Sequence, residues 1–208
     1  MTLLRKEEYK ALKGIALSGS VLDLGGEVRS KYHTLFNGDF TVTTANLGKE
    51  TMPDVVLDLE KLLPFQSLSY DAVLLINVLE HIFEYQQLLN ESARVMKPGG
   101  IIIIIVPFLF PYHPSPEDFH RYTASALEQA LQSAGFKNIV IKPLGSGVFA
   151  AQWVFLERLL PPVFAPLWSV MGFCASGMDA LFVVCARILG KKYRSSDYAL
   201  GYMVTAKK

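Results

Sequence analysis

Between residues 20 and 145, short apolar runs alternate with stretches whose apolar residues recur every three or four positions. Val21–Leu24, Phe40–Ala45, Asp54–Leu59 and Asp71–Asn77 read as four strands, and the all-apolar Ile101–Val106 as a fifth. That fifth run is too short and too β-branched for a helix, and it suits a central parallel strand covered on both faces. A helix is expected near Val28–Asn37. Another follows His81, with Ile82, Leu89, Ala93 and Met96 at helical spacing until Pro98-Gly99-Gly100 stops it. Ser125-x-x-Glu128 offers a capping box for a further helix that Gly135 ends, and Phe136–Gly145 is a sixth strand. Strands alternating with helices imply right-handed βαβ units and a doubly wound, mostly parallel α/β sheet.

The pattern then changes. From Pro143 to Gly190 the charged residues are Glu157, Arg158, Asp179 and Arg187, and ordinary polarity returns only before a seventh strand within Tyr198–Lys208. The chain therefore divides into one domain with a core over 19–145 and 197–208 and an apolar helical insertion over 146–194. Pro161, Pro162, Pro166 and Asp179 interrupt the insertion, which favours a soluble cap, a homodimer surface or an interfacial membrane contact over a bilayer span. Trp153 and Trp168 fit the interfacial reading. The N-terminal segment mixes charged and apolar residues and reads as an amphipathic helix over the first strand, not a signal peptide.

A net charge of +1, with Lys and Arg scattered, offers nucleic acid no electrostatic footprint. Cys174 and Cys185 lack metal or redox spacing and read as reduced core residues of a cytoplasmic protein, with membrane association through the insertion as the variant.

Ligands of open α/β sheets bind beyond the carboxyl ends of the strands. Gly25 and Gly26 follow the first strand there, as a ligand loop or as a plain tight turn. Glu27 would repel a pyrophosphate but tolerate a cation, and the absence of G-x-G-x-x-G argues against a dinucleotide enzyme. Asp58 reads as a cap, the commoner role for such an acid, or as a ligand contact, and Asn77 equally as a turn residue or a contact. His81 fits packing or capping as well as catalysis. His113, Glu117, Asp118 and His120 match no familiar ligand set, so no metal is expected, and their loop reads as a lid.

Taken in order, "VLDLGG", "PDVVLDLEKLLPF", "YDAVLLINVLEHI", "LLNESARVMKPGGIIIIIVP" and "DFHRYTASALEQALQSAGF" resemble the class I S-adenosylmethionine-dependent methyltransferases over residues 19–142. The resemblance implies a Rossmann-like seven-stranded sheet, S-adenosyl-L-methionine as cofactor, and a small or lipid-linked acceptor such as a sugar or quinone-like compound. It places Gly25, Gly26 and Glu27 at the methionine end with Asp23 supporting the loop. Asn46 stands where the family carries a ribose-binding acid. Asp58 would meet the adenine amino group beside the Leu59 backbone, with Asn77 near the transferred methyl. His113 and His81 are the candidate bases, and Arg121 and Tyr122 the candidate acceptor contacts. The alternative from another class is a non-catalytic binding or scaffold protein on the same fold.

Overall fold

The computed structural model describes residues 1–26 and 31–208. Glu27 and the expected helix start at Val28 lie outside the described residues, as does the Trp168 side chain. The elements run α1 (Leu3–Leu12), β1 (Gly19–Leu24), β2 (Phe40–Asn46), β3 (Val55–Val56), β4 (Tyr70–Ile76), α2 (Tyr85–Val95) and β5 (Met96–Pro107). They continue with α3 (Ala124–Ser133), β6 (Lys137–Ser146), α4 (Val148–Glu157), α5 (Ala165–Ile188) and β7 (Ala199–Lys207).

The seven strands form one sheet in the order β3-β2-β1-β4-β5-β7-β6. β1 to β5 pair in parallel, and β7 inserts antiparallel between β5 and β6. The fold class expected from the sequence is therefore the one observed. Alternation along each strand sends side chains to opposite faces. Leu22, Val73, Ile102 and Ile104 pack against Leu88 and Leu89 of α2 and Leu127 and Leu131 of α3. Val21, Leu74, Ile103 and Ile105 pack on the other face with Leu4 and Leu12 of α1 and Val154 of α4. The strand order reverses between β1 and β4, which sets the crevice beyond their carboxyl ends.

Several local expectations are corrected. The third strand shrinks to Val55–Val56, because Asp54 takes the Thr44 N–H and hydroxyl at 2.7 and 2.8 Å and Asp58 turns the chain by accepting from the Glu60 N–H. In place of the described part of a Val28–Asn37 helix stands a 3-10 turn, Lys31–Leu35, whose Tyr32 and His33 side chains reach back to Asp23. His81 closes a 3-10 turn (Leu79–His81) rather than opening a helix. The cap of α3 is Thr123, which accepts from the Ala126 N–H, not Ser125. α1 packs chiefly against β6, β7, α4 and the 3-10 turn rather than over β1.

The insertion is an α4–α5 hairpin on the sheet's α1 side, and α5 turns a narrow stripe inward. Gly172, Ala175, Asp179 and Ala186 are its buried positions among the described residues, and Gly172 lies where a Cβ would come within 3.2 Å of Trp153 Nε1. Cys174 and Cys185 fall off that stripe and are exposed, which corrects their reading as core residues. Asp179, which breaks the apolar run in the sequence, accepts from the Phe149 and Ala150 N–H groups at 3.0 and 2.8 Å and so caps α4 from a neighbouring helix.

Candidate functional site

The loop after β1 is shaped by its own neighbours. Gly25 has φ +86°, and a Cβ there would stand 2.3 Å from Val78 Cγ2. At Gly26 a Cβ would stand 2.1 Å from the carboxylate of Asp23. That carboxylate is buried near the end of β1 and holds the Tyr32 hydroxyl and His33 Nε2 at 2.5 Å, which ties the 3-10 turn Lys31–Leu35 back to the strand.

Asn46, at the end of β2, behaves as no carboxylate could. Its Nδ2 donates to the Gly25 carbonyl at 2.9 Å and the Gly26 carbonyl at 3.4 Å, while its Oδ1 accepts from the Leu47 N–H. An acid at this position would face those carbonyls without a proton to offer. The amide thus clamps the loop and still lines the crevice.

The crevice is a cavity of about 370 Å³ lined by Gly25, Asn46, Asp58, Leu59, Asn77 and His81 among others. Asp58 keeps its capping role toward Glu60 and lies 3.4 Å from Lys61 Nζ, yet it faces this space too. With Glu60 and Glu117 it makes the lining acidic, and no Lys or Arg borders it among the described residues. The cap alternative for Asp58 and the turn alternative for Asn77 are the ones observed, Asn77 turning the chain with φ +54° and donating its N–H to the Ile105 carbonyl, and both residues also border the cavity.

A second cavity of about 430 Å³ lies on the α1 side, lined by Arg5, Glu8, Asn77, His81, Phe110 and His113 among others. Asn77 and His81 border both spaces. The Asn77 side chain faces the carboxyl of Glu8, which is buried and whose pKa that burial pushes above its usual range. Arg5 stands 3.1 Å from Glu8 Oε2. Glu80 is buried below the two imidazoles, with Oε1 3.7 Å from His81 Nε2 and 3.8 Å from His113 Nε2.

Glu8 and Glu80 were missed in the sequence. Glu8 left a signal: it occupies the Leu4, Leu12 stripe of an amphipathic helix, where an apolar residue belongs. Glu80 left none beyond its place in "NVLEH".

The segment 108–122 forms a strap across the site. Its Phe119 and His120 N–H groups donate to the Glu80 carbonyl. Arg121 makes a bidentate pair with Asp118 and donates to the Phe110, Pro111 and His120 carbonyls. That guanidinium holds the Asp118 carboxyl down at a pKa of about 2. Tyr122 is buried and donates to the Leu79 carbonyl, with its hydroxyl pKa raised by burial. Arg121 and Tyr122, expected to meet the acceptor, therefore build the strap and border neither cavity. The four residues of the expected lid cluster also part company: His113 joins Asp118, Glu117 offers its carbonyl to His81, and His120 stacks on Phe83.

Residues 27–104 match the family model described as a methyltransferase domain. A probable S-adenosylmethionine-dependent methyltransferase of Mycolicibacterium smegmatis is 31% identical over 81 residues, 36% of this chain and 32% of that protein. Among solved structures, phosphoethanolamine N-methyltransferase 2 of Haemonchus contortus in complex with S-adenosyl-L-methionine superposes with a TM-score of 0.60 at 14% identity. It covers 98% of this chain and 52% of its own. A methyltransferase from Archaeoglobus fulgidus gives 0.57 at 17% identity, covering 99% of this chain and 92% of its own. The chain thus spans about a third of that curated relative and about half of the first structural one. The class I methyltransferase fold expected from the motifs is the fold of this chain, and the resemblance stands.

Proposed function

We propose that this chain is an S-adenosylmethionine-dependent methyltransferase acting on a small or lipid-linked acceptor. The observation that carries the reading is the pair of cavities that meet at Asn77 and His81, one at the strand ends and one beyond it. The acid-only lining of the first space among the described residues fits a cationic, phosphate-free cofactor and would repel a dinucleotide. Gly25 and Gly26 would offer backbone to its methionine end, Asn46 would face the ribose through the loop it clamps, and Asp58 with Leu59 would hold the adenine.

Bound there, the cofactor supplies a methyl group on a sulfonium sulfur. Asn77 stands at the wall between donor and acceptor spaces, so it orients both. Holding two reactants at near-attack distance supplies much of such a displacement. His81 and His113 each turn Nδ1 toward a backbone carbonyl, which leaves Nε2 as the atom that takes a proton when the acceptor must lose one.

The insertion supports a lipid-linked acceptor and a peripheral membrane contact in the cytoplasm. Arg158, at the end of α4, lines the second cavity and lies 4.8 Å from the Phe110 ring centroid. Phe155, Leu159, Phe173, Leu181 and Ile188 expose apolar surface on the same hairpin. Val170–Ile188 is long and apolar enough to cross a bilayer, but Asp179 in its middle is committed to the α4 N-terminus, which favours lying on the surface.

Calorimetry with S-adenosylmethionine and S-adenosylhomocysteine tests the enzyme reading, and absence of binding at millimolar ligand overturns it. Asp58→Ala is expected to weaken binding about tenfold, the worth of one charge-assisted hydrogen bond. Flotation with phosphatidylcholine vesicles, with and without phosphatidylglycerol, tests the contact: protein that stays soluble in both removes it, and gel filtration then reads the homodimer.

A further inference from the structure

Glu80 is fully buried, and neither of its carboxylate oxygens has a hydrogen-bond partner. Nothing in ordinary packing explains that, because a buried carboxylate without donors carries a heavy desolvation penalty. What faces it are two imidazoles, His81 Nε2 at 3.7 Å and His113 Nε2 at 3.8 Å.

The other nitrogen of each ring settles what those atoms present. His81 Nδ1 lies 2.5 Å from the Glu117 carbonyl, and His113 Nδ1 lies 3.0 Å from the Pro111 carbonyl. A carbonyl only accepts, so Nδ1 carries a proton in both rings, and Nε2 is the atom that each ring turns toward Glu80. Arg121 Nη2, 3.3 Å from His113 Nδ1, is already engaged by Asp118. Two imidazole nitrogens and an unsatisfied buried carboxylate therefore converge on one point, and a cation between them would satisfy all three.

We propose that Glu80, His81 and His113 bind a divalent first-row transition ion, zinc fitting best, with an open coordination position toward the second cavity. Their donor atoms all lie within 4.8 Å of one another. Donors on one zinc stand roughly 3–3.5 Å apart, so small rotations of the two rings complete the set. Two imidazoles with one carboxylate make a donor set of the catalytic zinc kind, which keeps a position for water or substrate. The backbone carbonyl on each Nδ1 is the outer support that metal-binding histidines use to fix tautomer and orientation.

The surroundings favour a cation as well. Glu8 contributes a second buried carboxylate close enough to interact with Glu80 and His113, and the cation paired with it is Arg5. His81 and His113 border the 430 Å³ cavity, so an ion on them would meet whatever occupies that space. Resting on the methyl-transfer reading, the ion would replace the two Nε2 atoms as the means of removing the acceptor proton, by binding an oxygen acceptor and lowering the pKa of its hydroxyl. The binding itself needs no such reading.

The expectation of no metal came from the spacing of His113, Glu117, Asp118 and His120. The set that converges draws instead on Glu80 and His81 from one turn and His113 from the strap.

The test is a titration of chelator-treated full chain with zinc chloride by calorimetry and with cobalt(II) by visible absorption. One ion per chain is expected, with cobalt bands typical of nitrogen and oxygen ligation. Glu80→Gln and His113→Ala should each weaken zinc binding by at least the roughly 100-fold that loss of an outer-shell partner alone can cost. His120→Ala, a histidine of the same strap stacked on Phe83, should leave it unchanged. Circular dichroism checks that the variants fold, and imidazole nitrogen NMR of the unaltered chain reads Nε2 ligation without any substitution. Equal binding by the unaltered chain and by His81→Ala/His113→Ala, or unmoved Nε2 resonances at saturating zinc, overturns the proposal. S-adenosylmethionine titrated into the same samples reads the cofactor separately, so failure of one leaves the other standing.

Discussion

Two predominantly apolar stretches, Ile101–Val106 and Val170–Ile188, end in opposite environments. The first lies at the centre of the sheet, with β4 on one edge and β7 on the other, and Ile102 to Val106 are wholly buried. The second forms most of α5, and 17% of it is buried. A strand must find partners for its backbone outside itself, so an apolar strand is drawn into a sheet and covered there. A helix satisfies its own backbone, so its apolar sides stay uncovered unless something else comes to them. Hydropathy alone does not separate these outcomes.

The largest test of that contrast puts a charge on each stretch. Ile103→Asp buries an unpaired carboxylate between β4 and β7, costing several kcal/mol, and should abolish cooperative folding in urea titrations. Phe173, 80% exposed on α5, should tolerate the same change within about 0.5 kcal/mol while losing vesicle retention. Equal destabilisation by the two substitutions would place α5 in the core after all.

The second test sets the strap against the insertion by pH. Asp118 has its folded pKa lowered to about 2 from a usual value of 3.8, first by the Arg121 bond. A lowered carboxyl contributes stability that is complete above its unfolded pKa and is lost as pH falls through its folded one. The unfolding free energy from urea titrations should therefore fall by about 2 kcal/mol between pH about 5 and 2, and Asp118→Asn should remove that dependence.

The smallest concerns Asp179. Its removal in Asp179→Ala leaves two α4 N–H groups without their acceptor and should cost about 1 kcal/mol, with α5 becoming the first segment cut by limited proteolysis. Unchanged cutting would mean that the small-residue stripe, not the cap, holds α5 in place.

Much of the candidate site was readable because strand ends are readable. Gly25, Asn46, Asp58 and Asn77 were singled out by position, and all four border one cavity. What they do there was less legible. Asn46, which stands where the family carries a ribose-binding acid, also clamps two glycine carbonyls, a role that depends on where Gly25 and Gly26 point their oxygens. Arg121 looked available for an anion, and its partner Asp118, three residues earlier, engages it completely.

The sequence by itself determined the strand count, the parallel core and the crevice, because period and apolar content are local properties that each segment carries with it. The tertiary structure decided what no local pattern holds: that Glu8 from the first helix meets Asn77, and that Glu80, His81 and His113 converge. It also decided that Asp179 caps a helix it does not belong to. Those contacts join residues far apart in the chain, and their chemistry depends on distances that exist only once the sheet has brought them together.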